Sequence, residues 1–210
     1  NLHPVSLSFP DPVRERGFVR GRQERLLANT FKLSVICVAM SIIILLIGFF
    51  VWGWAERSTF PTDAAFELAQ AQLICVAGAG CIALMVALAT RARWLVSLAG
   101  PVAFEYFLVS SLILAMCIVV LSVTWYTCKI SGQDPQDVWQ GTIQHTDSAV
   151  LLTIDLAVTA AHLSLPVRWI IMLPLEVAGA ALYVACVAIG SPELAALSNM
   201  AMLVGLIAMA

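Results

Sequence analysis

The sequence predicts an all-α, polytopic membrane protein: a six-transmembrane-helix bundle with both termini cytoplasmic. Three observations carry this. Of 210 residues, 61% are hydrophobic and 11% charged, and the mean hydropathy is +0.94, more apolar surface than one soluble core hides. Six segments approach or reach the roughly 20 residues that cross about 30 Å of hydrocarbon. Their apolar runs are long rather than alternating over about 10 residues, so helices, not barrel strands, satisfy the backbone in lipid.

Residues 1–32 form a cytoplasmic N-terminal segment. It holds Pro4, Pro10 and Pro12, then an arginine-rich, partly amphipathic stretch that is expected to lie on the membrane face. It lacks a signal-peptide pattern, so the first apolar run reads as an uncleaved anchor. The spans follow at 33–54, 65–89, 102–126, 148–165, 169–189 and 194–210. The first offers no polar face, from Ser34 through Ile42-Ile-Ile-Leu-Leu46 to Phe50. In the second, Ala79, Ala83 and Ala87 recur every four residues beside Gly78 and Gly80, small enough for a neighbouring helix to approach closely. The longest loop is expected outside the cytoplasm, from about Thr127 to Asp147.

The few charges set orientation. Arg14, Arg16, Arg20, Arg22, Arg25 and Lys32 precede the first span, Arg91 and Arg93 join the second to the third, and Arg168 follows the fourth. Only Arg57 and Lys129 lie opposite, so nine of the 11 basic residues are on one side. By the positive-inside rule that side is cytoplasmic, and an even span count returns both ends to it. A formal net charge of −2 gives no electrostatic basis for nucleic-acid binding.

Ionisable residues inside spans are functional candidates because hydrocarbon penalises them. Asp155 and His162 are seven residues apart, which returns them to one helix face about 10 Å from each other, with Thr159 between. Glu176 in the fifth span is a possible partner. The set reads as a proton or ion relay, or as a buried polar network that fixes helix packing; the second is favoured because no inverted repeat or pore motif accompanies it. Glu67 is placed near water. Glu105, beside Phe104 and Tyr106, is expected to pair with Arg91, Arg93 or the basic N-terminal segment.

Cys37, Cys75, Cys81, Cys117 and Cys186 fall within spans and read as small packing residues. Cys128 lies in the long-loop region, where it is expected to be usable for cross-linking. There is no Cys-x-x-Cys or His-Glu-x-x-His, and His3, His145 and His162 lie on different segments, so no metal or cofactor is expected. No Walker A loop, Gly-x-Ser-x-Gly elbow, arginine ladder or potassium-filter sequence occurs, and no catalytic residue is assigned.

Phe9-Pro-Asp-Pro12 with Glu15 and Phe18, Phe31-Lys-Leu-Ser-Val-Ile-Cys37, and the run from Asp155 through Thr159, His162 and Pro166 to Trp169 resemble the six-helix membrane anchor of protist-type membrane-bound class III nucleotide cyclases. The resemblance implies a signalling protein in which a dimerising cytosolic cyclase domain follows the last helix. Its metal-binding aspartates have no counterpart here, so only the role of anchor and signal-receiving domain transfers. The chain begins at Asn1 and ends in an apolar run at Ala210, and reads as part of a longer protein. Expected partners are the lipid bilayer, a cytosolic output domain and a second copy in a homodimer. Ion or proton transport through Asp155, His162 and Glu176 is the alternative, and a purely structural membrane subunit a third class.

Overall fold

The computed structural model describes residues 12–141 and 147–190, with Ser198, Asn199, Ala201 and Gly205 from the C-terminal stretch. Among the described residues all regular structure is helical: α1 (Pro12–Phe50), a 3₁₀ turn (Arg57–Thr59), α2 (Asp63–Arg91), α3 (Arg93–Ala99), α4 (Pro101–Leu121), α5 (Thr124–Ile130), α6 (Pro135–Val138), α7 (Asp147–Ser164) and α8 (Trp169–Gly190). Four helices are long and apolar enough to cross a membrane: α1 from Gly21, α2, α4 and α8. The fourth expected span is α7, shorter than these, and the sixth, 194–210, lies outside the described residues except for the four named above, which are helical.

The N-terminal segment and first span are one uninterrupted helix of 39 residues, about 58 Å long at 1.5 Å per residue. This departs from an amphipathic segment lying on the membrane face: Leu26, Thr30 and Ser34 are buried, so α1 enters the bundle before its apolar run begins. The helix stops at Phe50 rather than at 54, because the chain turns back there. Trp54 N–H donates to Gly48 O at 3.0 Å, and the Trp54 ring folds over Gly48, where a Cβ would meet it at 2.8 Å. Gly53, at φ +63°, supplies the left-handed residue of this turn.

Capping fixes the next boundaries. Thr62 Oγ1 accepts from Ala65 N at 3.1 Å and starts α2. Gly100, at φ +83°, separates α3 from α4, and Pro101 occupies the first turn of α4, where its missing N–H is no loss. The hydropathy of the third span runs to 126, but α4 ends at Leu121. Ser122 Oγ bonds Val119 O, and Thr127 Oγ1 bonds Leu121 O and Val123 O, so hydroxyls take over from the helical ladder and the chain turns into α5. The expected long loop is accordingly partly helical, carrying the end of α5 and all of α6.

α1 packs along α2, α2 on α4, and α4 on α7 and α8. The close approach foreseen at the small residues of α2 occurs on α1: a Cβ at Gly80 would meet Ser41 Cβ at 3.0 Å. The main core joins Leu26, Val96, Leu108, Met116, Ile154, Met172 and Tyr183. A smaller cluster of Phe60, Ala65, Ala69, Cys128 and Val138 closes the end that carries Arg57 and Lys129. Trp52, Trp54 and Trp139 lie at that end and Trp94 and Trp169 at the other, while Trp125 is buried in the core and donates through Nε1 to Gly190 O at 2.9 Å. Only 11% of the apolar window of α1 is buried, against 33% in α2, which places α1 at the edge of the bundle.

Candidate functional site

Hydropathy and spacing single out Asp155, Thr159, His162 and Glu176, and the structure divides them into two pairs. On α7, Val150, Ile154, Val158 and Ala161 form the buried stripe. Asp155, Thr159 and His162 lie on the half-buried strip beside it, one step of about 100° around the helix. Thr159 Oγ1 donates to Asp155 Oδ1 at 3.3 Å. One turn further, His162 Nε2 stands 2.9 Å from Glu176 Oε1 of α8, each side chain 18% exposed. Among the described residues no hydrogen bond or ion pair joins Asp155 to the histidine pair.

α8 can present Glu176 to α7 because the two helices approach closely at Gly179, where a Cβ would lie 2.9 Å from Ile154 Cγ2. Pro174 lies inside α8, withdrawing one backbone donor from the ladder just before Glu176. The contact ties α7 to α8 by proximity of opposite partners, although Nε2 is not aligned for a hydrogen bond to the carboxylate.

The most deeply buried ionic contact is elsewhere. Arg22 Nη2 of α1 donates to Glu105 Oε1 of α4, with side chains 13% and 1% exposed. Sequence reasoning offered Arg91, Arg93 or the N-terminal segment as partners for Glu105; the N-terminal segment provides it. Arg168, next to α8, adds a second positive charge near the carboxylate. Arg168 has only a topological role in the sequence reading. The signal for a larger role was Glu105 itself, an acid set in an apolar run.

Three further contacts bind the same end. Asn29 Nδ2 donates to Ser164 O at 2.9 Å, satisfying a carbonyl at the C-terminus of α7 that the helix leaves unpaired. The Arg91 guanidinium lies 4.0 Å from the Phe31 ring centroid, a cation–π contact between α2 and α1. Arg22 also stands over Phe18 at 5.4 Å. Thus the first half of α1 is held by α2, α4 and α7.

Cys128 corrects an expectation. Rather than a loop thiol accessible for cross-linking, it is fully buried in α5 within the smaller cluster. Burial pushes its thiol up, against smaller opposing pulls from Trp139 and Lys129. Among the described residues no group of three or more His, Cys, Asp or Glu side chains could hold a metal ion. No protein-family model, curated protein or solved structure matches the chain.

Proposed function

We propose that this chain is the membrane-anchoring and signal-receiving domain of a larger signalling protein, with six spans, both termini cytoplasmic, and a cytosolic output domain attached after the last helix. The observation that supports it is the attachment of the N-terminal half of α1. A continuous helix is gripped by Arg22–Glu105, Asn29–Ser164 and Arg91–Phe31, so a tilt or shift of the bundle is carried rigidly beyond the bilayer. The positive-inside bias favours the cytoplasm for its N-terminal end. The residues that resemble cyclase anchors make a nucleotide cyclase the output domain of choice, acting as a homodimer.

Epitope tags at residue 1 and after residue 210, probed with protease in sealed membrane vesicles, test the placement. Both tags are expected to be cut only when the cytoplasmic face is outward; tags on opposite faces contradict it. The second reading, proton or ion transport, draws on the His162–Glu176 pair. It requires that flux into proteoliposomes fall on Asp155→Asn or His162→Ala.

A further inference from the structure

At the turn of Ser122 and Val123 a cavity of about 330 Å³ opens between α2 and α4. Ala71, Gln72 and Cys75 line one wall, Cys117, Ile118 and Leu121 the other. Ser122 and Thr127 at its rim turn their hydroxyls to backbone carbonyls, which leaves the walls almost wholly apolar. A water molecule needs two to four polar partners, and these walls do not supply them. Gln72 contributes its carbons to the wall, and its amide makes no hydrogen bond among the described residues. It lies nine residues into α2. If that helix of about 43 Å is centred on about 30 Å of hydrocarbon, Gln72 sits about 7 Å inside the boundary.

We propose that this cavity holds one acyl chain of a bilayer glycerolipid, whose ester carbonyl accepts a hydrogen bond from Gln72 Nε2. The volume is at the small end of ligand cavities, about 300–1,000 Å³, enough for a chain segment, and the apolar walls offer a charged headgroup no partner. The half-buried lining residues place its mouth on the membrane-facing surface of two apolar helices, where acyl chains are the surrounding medium. An amide unpaired in hydrocarbon is costly, and ester carbonyls lie at the boundary that the flexible Gln72 side chain reaches by snorkelling. The site depends on the helices spanning a membrane and not on any output domain.

The full chain reconstituted with a phosphatidylcholine bearing a diazirine on one acyl chain provides the test, with ultraviolet cross-linking and peptide mapping. Adducts are expected to concentrate on 71–75 and 117–121 relative to the exposed face of α1. Gln72→Leu is expected to lower their yield about threefold to tenfold, the range carried by one net hydrogen bond, and Ala71→Phe to abolish them by filling the cavity. Size-exclusion and thermal profiles report whether either variant folds, and the wild-type adduct map is decisive without them. Adducts spread evenly over all lipid-facing helices overturn the proposal, as does labelling of the cavity by a diazirine free fatty acid with none by the phospholipid.

Discussion

Arg22 and Glu105 stand 83 positions apart in sequence and meet as an ion pair in which Glu105 is 1% exposed. Removing one partner leaves the other buried without compensation, at about 3–5 kcal/mol, whereas replacing both with apolar groups of similar size is often neutral or stabilising. Glu105→Ala is therefore expected to lower the thermal midpoint of the purified protein sharply, and Arg22→Met with Glu105→Leu to restore most of it. Denaturation in mild detergent measures both. Equal loss in the single and double variants contradicts a paired role.

Gly179 sets how closely α7 and α8 approach. Gly179→Leu drives its side chain into Ile154, whose Cγ2 would lie 2.9 Å from the first added carbon. Overpacking of this kind costs about 1–3 kcal/mol. Ile154→Ala in the same chain is expected to recover part of the loss, a coupling that a double-mutant cycle on unfolding midpoints reads directly. Additive effects show that the two residues do not share this contact.

Cys128 is expected to resist alkylation in the folded protein, because the thiolate is the reactive form and burial raises its pKa. The sign follows from which state ionises first. Below the unfolded thiol pKa of about 8.5 both states are protonated and the stabilising contribution is complete; above it the unfolded thiol ionises first, so stability declines with rising pH. Maleimide labelling from pH 7 to 9.5, followed by mass spectrometry, should show Cys128 modified only on unfolding. Labelling as fast as that of a free cysteine contradicts its burial.

His162 and Glu176 hold α7 to α8, and Asp155 bonds within its own helix. On the anchor account these are structural contacts. Proteoliposomes containing the protein should pass protons and alkali cations no faster than protein-free vesicles, and Asp155→Asn should change nothing. His162→Ala should reduce stability while leaving flux at that background. Flux above background that either substitution removes favours transport.

The membrane helices were legible because hydropathy reports the solvent, and α2 and α8 lie close to their expected bounds. The bend at Ser122 was not, since the apolar run continues through Val123 to Tyr126 and the hydroxyl contacts that end α4 have no hydropathy signal. The common face of Asp155, Thr159 and His162 follows from helical period alone. Their division into two pairs depends on the register of α8, which Gly179 and Ile154 set in three dimensions. Likewise Glu105 announced a need for a cation, but the choice of Arg22 depends on how α1 crosses the bundle.

The proposed role turns on what the natural transcript encodes after Ala210, and sequencing it in frame is the most direct measurement. A cytosolic catalytic domain is predicted, with cyclic nucleotide formed by membranes expressing the full chain. Further membrane spans, or a stop codon at that point, would contradict the assignment of this helical bundle as the anchor of an output domain.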